Sequence, residues 1–546
     1  WRIITERTCF CRCFCCVRAA DWMDRMQKRT GVFWKAGKRG CYMEDKKGLN
    51  RNTLIMNALL AGSAVLAIMG IKRKDAEILF GGIMVLWMHN CVRSVKKQKA
   101  RFPFFLFHVS FFTFLLGRPL LTIVRGEGLS AFEVKKYGAT FESVLLGLEL
   151  IYLSLLGLWI GAWISNYAEG KIHSKKGKEP GTGRKIFFAD SLRDDWKQAS
   201  LFVFACSFLC EVAVTAEKVL FIVHHSYVSY YADFVSQLPY MIYVGSTFMF
   251  FSLCIWLALL PGKKQAYIVL FLYVLLRLPM AVCGARLELV LALLFAMTYF
   301  FFRDYLEGKQ VWIGKWEKRL MEAGAPLGIV ALGMLNYMRE GVSTGFLSPI
   351  SLFLDFFFKQ GVTFSWLCAG LAHIAELRCR GVVSYTFGPF IDWLRHGTIA
   401  RLFGAEVLVT GNTVQNAAES NLLAYHLPWL LFGKEKYLQG HGMGSCYILE
   451  SFLDFHFWGV LVLSILVGAG LFLLFPLAKR DVLSRSFWLM TINGFLYMPR
   501  ANALQPVNFV WRLPFWLSYA GIFVLGLILE KRKQKRNHVR RRMGEK

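Results

Sequence analysis

Charge is scarce in this sequence, and acidic charge is scarcest. Of its 546 residues only 18% are Asp, Glu, Lys or Arg, where ordinary globular domains carry roughly a quarter. The chain has 36 acidic residues against 65 basic ones, and 55% of it is apolar, with 48 Phe and 17 Trp. That balance excludes most soluble enzymes. The signatures of several catalytic classes are also missing. There is no Walker A run for ATP, no H-E-x-x-H for zinc and no G-x-S-x-G nucleophile elbow. His224 and His225 form a bare pair with no third ligand in view, so no metal and no cofactor is expected. Two self-similar halves, the usual mark of a transporter, are not visible either.

Long apolar runs are plentiful. Stretches of 18 or more such residues recur along the chain, so bilayer arithmetic applies to it. The expected fold is an all-α polytopic membrane protein of about twelve spans, near 53–71, 75–92, 102–124, 141–165, 199–223, 238–260, 265–283, 286–304, 323–341, 446–475, 484–500 and 508–529. The net charge of +29 raises the question of nucleic acid, but the basic residues sit in short segments between apolar runs. These are Arg93–Arg101, Lys171–Lys197, Arg303–Arg319 and the tail Lys531–Lys546. Such placement follows the positive-inside rule, and the tail suits anionic headgroups. Both termini are therefore expected in the cytoplasm, with Arg125–Thr140, His224–Gln237 and Val342–Ser445 outside. The turn Lys72–Asp75 is the one violation. No nucleic-acid partner is expected.

Residues 1–42 stand apart. Cys9, Cys11, Cys13, Cys15, Cys16 and Cys41 crowd this segment in a spacing that fits no zinc site. It lacks a continuous apolar signal core, and Met43 opens a short basic lead into the first span. A disordered or non-native extension is expected there. Residues 43–341 then form the first nine spans, 342–445 a large outer loop, 446–529 the last three spans and 530–546 a cytoplasmic tail. Three stretches of the outer loop, SPISLFLDFFFKQ, SWLCAGLAHIAEL and GPFIDWLRHGTIARLF, have helical period but are too interrupted or polar to span. Their apolar faces would lie along the membrane surface or cap the bundle.

Cations inside the spans carry the functional signal. A guanidinium at membrane depth costs at least a few kcal/mol, so such residues face a cavity or a partner. Arg118, Arg125, Arg277, Arg286, Arg339, Arg500 and Arg512, from six spans, are all expected near the outer ends. Arg offers a planar, permanently charged fork suited to phosphate oxygens. One reading is an outward-facing site for a pyrophosphate or lipid phosphate. The other is that single arginines snorkel to headgroups or pair with Glu211, Glu217 or Glu340. Glu211 and Glu217 need not act together, since six residues put them nearer opposite helix faces.

The remaining chemistry lies at the end of the outer loop, where GHGMGS (440–445) precedes a helix. Gly442 and Gly444 would let backbone amides approach a ligand and turn the chain sharply at Ser445. Glu450 and Asp454, four residues apart, share a helix face. With His441 and His426 they are the available proton acceptors. Each His taken alone is more often structural than catalytic.

These residues resemble a family. The run Gly442, Gly444, Ser445, Glu450, Asp454, Phe455 and the segment TGNTVQNAAESNLLAYHLPWLLFGKEKYL are similar to the Wzy-type O-antigen polysaccharide polymerases. LLGRP around Arg118 and GARLELVLALLFAMTYF around Arg286 look like that family's span-terminal arginines. The resemblance covers roughly residues 50–530. The chain departs from the pattern at His441 and at His456–Phe457, where the family more often has a Gly-containing turn.

The resemblance implies a glycosyltransferase of the cytoplasmic (inner) membrane that polymerises undecaprenyl-diphosphate-linked oligosaccharide repeat units. It implies Glu450, His441 or Asp454 as catalytic residues. It also implies the seven arginines, with Gly442, Gly444 and Ser445, as diphosphate or substrate contacts. A chain-length regulator and a flippase of the same pathway would be partners, and membrane lipid the surroundings. An O-antigen-ligase-like glycan transferase, or a polysaccharide flippase or transporter, stays open as an alternative.

Overall fold

The computed structural model describes residues 41–95, 98–133, 137–175, 193–225, 229–230, 233–307, 312–339, 348–409 and 411–544. Residues 1–40, and with them nearly all of the expected extension, lie outside that set. Helix dominates, and no strand occurs among the described residues. In chain order the first helices are α1 (Cys41–Arg73), α2 (Ala76–Val95), α3 (Gln98–Phe111), α4 (Gly117–Val124), α5 (Phe141–Lys175) and α6 (Arg193–His224). Next come α7 (Tyr240–Ser246), α8 (Met249–Ala258), α9 (Lys263–Val282), α10 (Arg286–Glu307) and α11 (Lys315–Arg339).

The expected outer loop supplies seven short helices: α12 (Pro349–Gln360), α13 (Val362–Ala372), α14 (Ile374–Arg378), α15 (Gly388–His396), α16 (Thr398–Leu402), α17 (Val414–Glu419) and α18 (Leu423–Leu438). The chain closes with α19 (Tyr447–Ala478), α20 (Val482–Tyr497) and α21 (Leu513–Gly544).

Ten helical stretches among the described residues are long and apolar enough to cross a bilayer. They are α1 from Thr53, α2, the α3–α4 rod, α5, α6, α7 with α8, α9, α10, α19 and α21. The other two expected spans are also helical, as α11 and α20, but are not among the ten. Helix α20 has 16 residues, about 24 Å at 1.5 Å per residue, which is short of a hydrocarbon core of about 30 Å. Helix α11 opens on the charged run Lys315–Arg319.

The spine is the pair α5 and α19. Gly157 and Gly161, four residues apart on α5, let the backbones touch. A Cβ on Gly161 would lie 2.1 Å from the Ile465 carbonyl oxygen, and one on Gly468 would lie 2.4 Å from that of Leu158. Small residues at this spacing are how helices approach in lipid, where no hydrophobic drive separates helix from solvent. Ser154, Tyr447 and Ser464 form a buried hydroxyl chain across the seam, at 2.6 and 3.0 Å.

At the end of the bundle away from α12–α18, buried arginines take carbonyls at helix ends. Arg485 donates to Ala258 O at 2.6 Å, and Arg303 to Pro261 O at 2.7 Å. These carbonyls have no intrahelical donor, so each cation has a local structural task.

Candidate functional site

Between α3 and α4 the chain makes one π-helical turn, Phe112–Leu116. Such a turn inserts a residue into the rod and re-aims the side chains beyond it, and it occurs often at functional positions. Arg118 is the second residue beyond it, and Arg125 is the C-cap of α4. Seven residues apart, the two lie on one helix face. Both reach the same ring. The guanidinium carbon of Arg118 is 4.5 Å from the centre of Phe358, and that of Arg125 is 4.2 Å from it.

Phe358 lies in the last turn of α12, just before a corner at Gly361, after which α13 begins. That corner needs glycine: a Cβ there would lie 2.5 Å from Arg118 Cβ and 2.8 Å from its backbone N. Arg500 comes from the opposite side, at the end of a 3-10 turn after α20. Its Nη1 is 3.4 Å from Gln360 O, and its guanidinium carbon is 5.9 Å from the Phe114 ring. Arg118, Arg125 and Arg500 thus ring one helix corner, and none has a carboxylate partner among the described residues. The first turn of α13 adds its positive dipole end, and the Thr363 hydroxyl in that turn is buried and unpartnered among the described residues.

The glycine turn abuts this corner. Gly444 adopts φ 77°, a left-handed value open to glycine, and its Cβ position is 3.4 Å from Arg500 O. Gly442 faces open space. Glu450 is wholly buried at 0% exposure. Ser445 Oγ donates to its Oε1, and the Ala503 N–H donates to its Oε2 at 2.7 Å. The carboxylate therefore ties the glycine turn to the segment after Arg500. His441 stands differently. Its side chain is exposed on the turn, its ring is 6.4 Å from that of Phe432, and its carbonyl accepts Asn412 Nδ2 at 3.1 Å.

Asp454 is also occupied. It accepts Ser384 Oγ at 2.6 Å, Tyr385 N–H at 3.1 Å and Thr386 N–H at 2.7 Å. Directly after it α19 breaks, at Phe455 and at His456 with φ 54°. Arg378 takes a freed carbonyl, donating Nε–H to Leu453 O at 3.0 Å, and its Nη2 lies 3.3 Å from the His456 ring. His456 thus holds a left-handed angle as a non-glycine residue. His426 is buried, with Nε2–H donating to Ser420 O at 2.6 Å. Burial holds its imidazole below the usual value. Arg380 lowers it further, while Ser420 and Asp392 oppose.

Arg277, Arg286, Arg512 and Glu217 are placed elsewhere. Arg277 pairs with Glu211 at 2.8 Å and Glu288 at 2.9 Å. Arg286 donates to Leu332 O at 2.9 Å. Arg339 is the last residue of α11, with its side chain outside the described set, and Arg512 is exposed just ahead of α21. Glu217 accepts from Ser236 Oγ and from the N–H groups of Gln237 and Leu238. Of the seven arginines expected at one depth, three converge on one corner. The sequence reading missed Phe358, Arg378 and the π turn; the glycine at 361 between two apolar helical runs was the available signal.

Taken together, permanent positive charge without a carboxylate partner among the described residues, an adjacent glycine turn and one exposed imidazole suit a polyanionic ligand whose reaction moves a proton. In comparisons with known proteins, a family model described as "O-antigen polysaccharide polymerase Wzy" matches residues 54–533. No curated protein and no solved structure matches.

Proposed function

Since the chain belongs to the O-antigen polysaccharide polymerase Wzy family, we propose that it joins undecaprenyl-diphosphate-linked oligosaccharide repeat units by glycosyl transfer on the outer face of the cytoplasmic membrane. The observation that carries the reading is the trio Arg118, Arg125 and Arg500 around the Gly361 corner, free of carboxylate partners among the described residues. Polymerisation of this kind is displacement at an anomeric carbon. An acceptor hydroxyl forms the new C–O bond, the bond to the lipid diphosphate breaks, and the hydroxyl proton passes to a base. Charge grows on the departing diphosphate, and preorganised cations at that position supply a large share of catalysis.

His441 is the proposed proton acceptor, since its ring is exposed on the glycine turn while the oxygens of Glu450 and Asp454 are engaged. Those two carboxylates are assigned positioning roles. The helices α12–α18 would cover the sugars, with the lipid tails in grooves between spans. The free energy of the glycosyl–diphosphate bond drives the step, so no nucleotide is needed.

The test is purified protein in liposomes supplied on one side with lipid-linked repeat units. Longer lipid-linked glycans, absent with Arg118→Ala, are the expected result. Unchanged units that appear on the far side would instead indicate a flippase.

A further inference from the structure

Beyond the chemistry at the arginine corner, one surface next to it remains uncovered. We propose that α15 and α16, with the residues on either side of them (383–404), form an interfacial anchor whose apolar face lies in the lipid at the rim of the bundle. The partner is a bilayer surface.

The segment has two unlike faces. Phe387, Phe390 and Leu394, at i, i+3 and i+7, share one side of the α15 turn pattern, and all three are exposed. Leu402, the last residue of α16, and Phe403 after it are exposed at 80% and 87%. Large apolar side chains massed on one face mark a contact surface. The other face is fastened to protein. Asp392 accepts Ser420 Oγ at 2.6 Å and Asn421 N–H at 2.8 Å, and Gly388 is packed directly on the Asn421 carbonyl. The apolar face is therefore held outward by polar bonds behind it.

Two ring contacts set its depth. Phe387 lies 6.2 Å from Phe455, at the break where the spanning part of α19 begins. Phe390 lies 5.6 Å from Trp511, just ahead of α21. Further along those spans Phe457, Trp458 (73% exposed) and Trp516 are exposed, as interfacial aromatic belts are, while Phe515 packs inward. The apolar face of 383–404 thus continues the lipid-facing surface of two spans at headgroup level. Arg395 and Arg401, both exposed, flank it with the charge that phosphate headgroups attract.

The full chain, reconstituted in phosphatidylethanolamine/phosphatidylglycerol vesicles doped with a phospholipid bearing a photoreactive acyl chain, provides the test. After illumination, adducts are mapped by mass spectrometry. Peptides from 388–404 should carry adducts at a density within about threefold of those from 457–466, which serve as the lipid-facing reference. Phe403→Asp combined with Leu402→Asp should lower the 388–404 signal at least fivefold and leave the reference unchanged. A labelled reference with an unlabelled 388–404 peptide would overturn the proposal. So would protection of 388–404 from hydroxyl-radical footprinting in native membranes but not in vesicles, because a protein would then cover the face. Neither result depends on whether the chain polymerises glycans.

Discussion

The backbone N–H of Ala503 donates to Glu450 Oε2 at 2.7 Å, which joins the start of α19 to the segment behind Arg500. A carboxylate in that position orients its neighbours. In Glu450→Gln the amide oxygen still accepts from Ala503 and the amide NH2 can donate to Ser445 Oγ. Turnover should stay within about threefold of wild type, under ~1 kcal/mol of barrier. Glu450→Ala leaves a buried N–H without an acceptor, at a cost of about 1–3 kcal/mol, and should lower folded yield. Loss of polymer in Glu450→Gln at unchanged yield and heat stability would make the carboxylate the base.

His441→Gln keeps a polar side chain on the turn and removes the proposed proton acceptor. Its turnover should fall by about 10²-fold or more, in the range of general-base contributions, with lipid-donor affinity nearly unchanged. Single-turnover rates alongside donor-binding measurements separate the two quantities.

The two kinds of arginine should fail differently. Arg118→Ala removes a cation with no carboxylate partner among the described residues, so polymer is lost while the protein remains as abundant as wild type. Arg277→Ala strips Glu211 of its counter-charge at a mostly buried position and should destabilise by up to about 3 kcal/mol. Detergent thermal shifts and glycan gels on the same preparations distinguish these outcomes.

Phe358 holds two guanidinium groups against one ring, each contact worth about 0.5–2 kcal/mol. Phe358→Leu keeps the bulk and loses the π face, so donor KM should rise several-fold. Phe358→Tyr should restore it. Equal behaviour of the Leu and Tyr variants would reduce the ring to packing.

His426 makes folding pH-dependent. Its folded pKa lies below the unfolded value, so below that value the unfolded chain binds more protons and stability falls with pH. The contribution is complete above about pH 6.5 and is lost at up to about 1.4 kcal/mol per pH unit below it. Proteolysis of residues 348–445 should accelerate between pH 7 and pH 5, and His426→Gln should flatten that dependence.

Much of the architecture was readable from hydropathy, because lipid demands long unbroken apolar helices and the chain supplies them. Helix α20 shows where this stops. An apolar run inside protein looks like a run inside lipid, and only neighbours decide which it is. The arginines were readable as costly residues, but not as to which would be neutralised. The pairing of Arg277 with Glu211 depends on two helices meeting, whereas Glu217 turns to three donors in the loop after its own helix. Sequence shows the carboxyl groups of Glu450 and Asp454 but not the donors that engage their oxygens. Phe358 was invisible for a related reason: an aromatic in a run of aromatics reads as packing until the π turn aims two cations at it.

The break at Phe455–His456 turns the chain between two parts of α19, and Ser154 of the unbroken α5 bonds both, through Tyr447 before the break and Ser464 after it. The part after it, 457–478, is about 33 Å long at 1.5 Å per residue, close to one hydrocarbon thickness. A thicker or thinner membrane changes the tilt of that lower rod. The upper part is tied to the same α5 through Tyr447, so a tilt of the lower rod is passed on to it. Bilayer thickness is thereby coupled to the glycine turn through one buried chain of three hydroxyls.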